Sequence, residues 1–159
     1  MGPLPQSAGS DGGGGSLAFS AKIEYGLVAL IELAAVHTSG GVLQVAEIAA
    51  RQNIPDRYLE QMLTSLRRAS ILRSIRGPRG GYQLLRPPAE ITVSEVVGCL
   101  EGEPSQRETA GRQSPEFGVL ENLAAQLERR THELLAGTSL QDLLDERELR
   151  LKAESMYFI

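Results

Sequence analysis

The sequence predicts a mainly α chain carrying one small β-hairpin, and three observations predict it. Apolar residues recur at helical spacing in several separate segments. The glycine-rich stretch IRGPRGGYQLL (Ile75 to Leu85) lies between short apolar runs that read as two strands and a turn. The composition is 42% hydrophobic, with three Phe, four Tyr and no Trp, so a globular core must rest on Leu, Ile, Val and Ala.

Taken in chain order, residues 1–19 open with MGPLPQSAGSDGGGGSL, which is too rich in Gly, Ser and Pro to pack and reads as a flexible tail. Ala21 to His37 is a helix. Ile23, Leu27, Leu30, Ile31 and Ala34 form its wide apolar face, Ser20 is its N-cap, and Thr38-Ser39-Gly40-Gly41 ends it. His37 sits in the last turn, where the negative helix end suits it better than a metal does. Val45 to Gln52 is a second, short helix, and Asn53-Ile54 is a turn. Pro55 opens a third helix running to Ala69, with Asp56 in its first turn and Tyr58, Leu59, Met62, Leu63 and Leu66 as its apolar stripe. Two short helices joined by a tight turn make a helix-turn-helix. The hairpin, with strands Ile71 to Arg76 and Gly81 to Leu85, follows at once, so the expected unit is the winged helix-turn-helix.

Pro87-Pro88 stops the second strand. Thr92 to Leu100 is a fourth helix, with Thr92 and Glu95 spaced as a capping box. Cys99, among Val96, Val97 and Leu100, reads as core packing. Residues 102–114 form a polar loop. Pro115 to Ala136 is a long helix with a stripe of Phe117, Leu120, Leu123 or Ala124, Leu127, Thr131 and Leu134. Such a stripe cannot bury itself, and a second copy of the chain is its expected partner, with packing on the first helix as the alternative. Ser139 to Asp145 is a last short helix, capped by Ser139 with Asp142 three residues on. A charged run, Glu146 to Glu154, then leads to the apolar end Met156-Tyr157-Phe158-Ile159. The expected organisation is a tail (1–19), a winged DNA-binding unit (20–101), a loop (102–114), a dimerisation helix (115–137) and a short helix with an apolar tail (138–159).

The net charge of −4 hides an asymmetry. Arg51 to Arg86 holds eight arginines against Asp56 and Glu60, a net +6, so the rest of the chain carries −10. A local basic patch, not a basic average, is what backbone recognition of nucleic acid needs. No apolar run is long enough to span a bilayer and no leader pattern precedes a cleavage site, which points to a cytosolic protein. No enzyme is expected. GPRGG lacks the lysine and the serine or threonine of a phosphate-binding loop, no nucleophile elbow is present, and His37 and His132 stand far apart.

The runs EYGLVALIELA and LQVAEIAARQNIPDRYLEQMLTSLRRASILRSIRGPRGGYQLLRPPAEITVSEVV resemble the Rrf2 family of winged-helix transcription regulators over about Ser20 to Gly102. The long helix and the closing TSLQDLL fit the same family's dimerisation helix and final element. The resemblance implies a homodimer on a palindromic operator in double-stranded DNA. It implies that the helix from Pro55 reads the major groove with Asp56, Arg57, Tyr58, Glu60 and Gln61. The wing, Arg76, Gly77, Pro78, Arg79, Gly80 and Gly81, would enter the adjacent minor groove. Phe117, Leu120, Leu123, Leu127 and Leu134 would hold the dimer.

Iron–sulfur members of the family carry three cysteines in the loop after the fourth helix. Here that loop, EGEPSQRETAGRQSPE, has none, so no cluster and no other cofactor is expected. The branch without these cysteines regulates cysteine metabolism, and one of its members ends in a similar apolar run and acts with cysteine synthase. Tyr157, Phe158 and Ile159 are therefore either a docking peptide for cysteine synthase or a tail that folds back into the dimer. Two alternatives stand beside the DNA-binding repressor: an interaction module of the same fold that has lost DNA binding, and an iron–sulfur sensor with atypical ligands.

Overall fold

A computed structural model describes residues 19–102 and 111–157. Its centre is α1 (Ala21–His37), whose first turn is capped as expected: Ser20 Oγ accepts from the Ile23 N–H at 3.3 Å. Ile23, Leu30 and Leu33 on its inner face are fully buried. Glu32 is buried on the same helix. Its carboxylate accepts from Arg51 Nε (2.7 Å) and Gln52 Nε2 (3.1 Å) at the end of α2 (Val45–Gln52). Paired and hydrogen-bonded, that charge is tolerable inside the fold, and it ties the short helix to the central one.

Asn53 ends α2 in the left-handed region (φ 55°), a conformation that asparagine adopts more readily than most residues. Pro55 then precedes α3 (Asp56–Arg68). Leu59, Met62, Leu63 and Leu66 of α3 face the core, but Tyr58 does not belong to that stripe as its spacing suggested: it is 61% exposed.

The hairpin pairs β1 (Leu72–Ile75) with β2 (Gly81–Leu84) in antiparallel register, Leu72 opposite Leu84 and Arg73 opposite Gln83. Leu72 and Leu84 are buried and turn the inner face onto the core. Leu43, in the α1–α2 connection, adds a third edge by exchanging two backbone hydrogen bonds with Tyr82, of 3.0 and 2.8 Å. The approach is close enough that a Cβ on Gly81 would stand 2.4 Å from the Leu43 carbonyl oxygen.

A 3-10 turn (Pro88–Glu90) leads into α4 (Val93–Glu101). Half of the expected capping box forms: Thr92 Oγ1 accepts from the Glu95 N–H at 3.1 Å, while the Glu95 carboxylate pairs with Arg86 instead of reaching back. Past the polar loop, α5 (Pro115–Ala136) is capped by Ser114 and buries no residue at all. It lies along α4.

The last helix corrects the sequence reading. α6 spans Leu140–Tyr157, not a short segment followed by a charged tail. Ser139 and Asp142 cap it reciprocally, at 2.9 and 3.1 Å. Glu146 pairs with Arg150 one turn on, the spacing that supports a charged helix in water. Leu140 is fully buried and the helix packs on α1. Among the described residues, no helix is long and apolar enough to cross a membrane.

Candidate nucleic-acid interface

Because α3 spends one face on the core, the opposite face must point outward. Asp56, Arg57, Glu60, Gln61, Arg67 and Arg68 are all exposed there. Arg57, Glu60, Gln61, Thr64, Ser65 and Arg68 border one shallow groove. The Thr64 and Ser65 hydroxyls donate to the carbonyls of Glu60 and Gln61 (2.8 and 3.2 Å), so they line the groove without projecting from it. Thr64, Ser65 and Arg68 were not singled out from sequence. Their signal is the repeat at three and four residues from Arg57, which continues the polar face past Gln61. Tyr58 and Gln61 also border a cavity of about 470 Å3 between α3 and α1, where Lys22 and Tyr25 face them.

The wing's tip is a tight turn in which the Gly80 N–H donates to the Gly77 carbonyl at 2.9 Å. Gly77 has φ 111°, and a Cβ on Gly80 would fall 2.1 Å from the Ile75 carbonyl oxygen, so these two glycines are what let the chain turn. Arg76, Pro78 and Arg79 are exposed, Gly80 is buried beneath the turn, and Gly81 begins β2.

The eight arginines of the basic run divide into two groups. Arg51 is held by Glu32 and Glu47, and Arg86 by Glu95. Arg57, Arg67, Arg68, Arg73, Arg76 and Arg79 have no carboxylate within ion-pair distance among the described residues. Six guanidinium groups without an ion-pair partner, on α3 and the hairpin, outnumber the exposed Asp56 and Glu60 there and make a positive surface. A phosphate backbone is the polyanion for which such a surface is suited.

On α5, Phe117, Leu120, Leu123, Leu127 and Leu134 are exposed, at 41–67%. On α6, Met156 and Tyr157 are exposed too, Tyr157 at 90%; Phe158 and Ile159 lie outside the described residues. Cys99 is half-buried in α4 with its Sγ–H directed at the Ser65 carbonyl (3.5 Å), and burial pushes its thiol pKa up.

Comparison with known proteins matches residues 19–146 to the Rrf2 family, described as iron-dependent transcriptional regulators. The chain is 38% identical over 126 residues to a putative HTH-type transcriptional regulator, ORF2, of Azotobacter vinelandii, covering 77% of this chain and 76% of that protein. It is 46% identical over 83 residues to the HTH-type transcriptional regulator IscR of Cereibacter sphaeroides, covering 52% of this chain and about half (54%) of the relative. Among solved structures it is similar to CymR (YrzC), the global cysteine regulator of B. subtilis. That match has a TM-score of 0.72 and 35% identity, covering 82% of this chain and 98% of the other.

The family's description names iron, but this chain does not supply the thiolates of a cysteine-held cluster. A thiolate-held iron centre needs several cysteines, and this chain has one. That one is half-buried in α4 with its thiol directed at the Ser65 carbonyl of α3, and no three His, Cys, Asp or Glu side chains converge among the described residues. With a helix-turn-helix, a wing, and relatives matched across both, the chain belongs to the Rrf2 family of transcriptional regulators.

Proposed function

We propose that this chain is a cytoplasmic, homodimeric repressor that binds a palindromic operator, controls genes of cysteine and sulfur metabolism, and works without an iron–sulfur cluster. The observation that carries the DNA-binding part is the set of six arginines on α3 and the wing that no carboxylate neutralises among the described residues. An interaction module that had left DNA would gain nothing by keeping them bare. In this reading α3 presents Asp56, Arg57, Tyr58, Glu60 and Gln61 to base edges, and Arg76 to Gly81 approach the minor groove.

Two-fold symmetry is supported by α5, a 22-residue helix with an apolar stripe and no buried residue. A second α5 is the simplest cover, and a two-fold dimer would present two copies of α3 to the two halves of a palindrome. The assignment to cysteine metabolism rests on the likeness to CymR and on the missing cysteines. The resemblance of the apolar end to that of a family member without the cluster cysteines suggests cysteine synthase as a partner, and Met156 and Tyr157 stand exposed at the end of α6. The protein is not an enzyme in this reading.

The test is recovery of bound DNA. Full-length protein is incubated with sheared genomic DNA at moderate salt, the retained fragments are sequenced, and the protected region is footprinted. The reading expects one inverted repeat upstream of genes for sulfur assimilation. A protected direct repeat, or retention without sequence preference, would contradict it.

A further inference from the structure

Gln83 is a buried polar residue with an unusual set of partners. It lies on β2, directly across from Arg73 on β1, and is only 8% exposed. Its Oε1 accepts from Arg73 Nε at 2.5 Å, while its Nε2 donates to the carbonyls of Gly40 and Gly41, each at 3.4 Å. One side chain thus joins both strands of the wing to the α1–α2 connection. It does so beside the Leu43–Tyr82 pairing that clamps the same edge.

The consequence falls on Arg73. Of the six arginines without a carboxylate partner, it is the one whose side chain hydrogen-bonds another side chain among the described residues. Its partner is neutral, so the guanidinium keeps its full charge. The bond uses Nε, which fixes the plane of the group and leaves both terminal nitrogens on an exposed residue. A planar fork with its orientation already set matches two phosphate oxygens and loses less entropy on binding than a free side chain does. Arg76 and Arg79, three and six residues further along, sit exposed at the tip of the same hairpin, with no side-chain partner among the described residues. Arg73 is at its root.

We propose that Arg73 is a phosphate anchor for duplex DNA at the root of the wing, and that Gln83 is the positioning residue that aims it. This rests on the DNA-binding reading above. Gln83 does not touch DNA in this scheme and acts only through Arg73.

The experiment is a double-mutant cycle on the full-length chain, with operator affinity measured across a salt series. Arg73→Ala is expected to lower affinity about tenfold and to flatten the salt slope by about 0.9 for each protomer. Gln83→Leu is expected to lower affinity several-fold in the wild-type background and to have no further effect once Arg73→Ala is present. Arg73→Lys keeps the charge but lacks the planar group that Gln83 holds, so it is expected to keep the slope and still lose affinity. That variant tests the aiming even if Gln83→Leu fails to fold. An unchanged slope in Arg73→Ala overturns the anchor. An equal cost of Gln83→Leu in both backgrounds, or wild-type affinity in Arg73→Lys, overturns the positioning role. If the wild-type chain itself shows no salt-dependent binding, the DNA-binding reading fails before this one is reached.

Discussion

Leu140 donates its backbone N–H to the Ile91 carbonyl at 2.9 Å, and both side chains are completely buried. The pair joins the start of α6 to the segment leading into α4, beside the Thr92–Ser139 bridge and the bond from the Val93 N–H to the Thr138 carbonyl (2.8 Å). The C-terminal helix therefore completes the core of the winged unit. Leu140→Ala is expected to cost about 2–5 kcal/mol, the range for emptying a buried leucine site. Urea unfolding reads this directly, and a loss below about 1 kcal/mol would mean that the core closes without α6.

Leu127 behaves oppositely. It is 67% exposed on the isolated chain, so Leu127→Asp removes little that the single protomer uses. In the proposed dimer it would bury an unpaired carboxylate at the seam. The expected outcome is a folded monomer by sedimentation, with secondary structure retained and operator binding lost. A folded dimer would remove α5 from the interface.

Arg57 and Gln61 share the outer face of α3 and border the same groove. Arginine suits guanine and glutamine suits adenine in the major groove. Arg57→Ala and Gln61→Ala are each expected to change the preference among single-base operator variants by about 1–3 kcal/mol. A loss that is uniform over all sequences would mark the residue as a phosphate contact.

Burial pushes the Cys99 thiol up; the Lys22 ammonium acts against this and the Glu95 carboxylate adds to it. The folded chain therefore keeps the thiol proton to a higher pH than the unfolded chain does. Between the two pKa values the unfolded state binds fewer protons, so stability falls as pH rises through the ordinary thiol range, about 8.5. Below that range the contribution is fully present. Unfolding measured from about pH 8 to about pH 10 should show this fall in the wild-type chain and a shallower one in Cys99→Ala. A shallower fall in the wild type would contradict the sign.

Local signals account for most of the elements. The Ser20, Thr92 and Ser139–Asp142 caps are short-range hydrogen bonds between residues three apart, and the glycine turn of the wing is equally local. Other features depend on partners far away in the chain. Glu32 reads as an interruption in an apolar helix until Arg51 and Gln52 arrive from 19 and 20 positions on. Gln83 reads as an ordinary strand residue until Gly40 and Gly41 supply its acceptors. The length of α6 was missed for another reason. Glu146 to Glu154 has no apolar period, and its helix is carried by capping and by charge pairs such as Glu146–Arg150. For the candidate site, the basic run was visible in the sequence. Which arginines were already neutralised was not, because Glu32 and Glu95 lie outside that run.

The most direct test of the central claim is the dependence of DNA affinity on salt concentration. Each phosphate contact contributes about 0.9 to the slope of log K against log salt. With six uncompensated arginines per chain, the wild-type protein is expected to show a slope steeper than about −4 on its operator, and Arg79→Ala a shallower one. Binding that is flat between about 50 and 200 mM salt, or no binding to duplex DNA at low salt, would contradict the account.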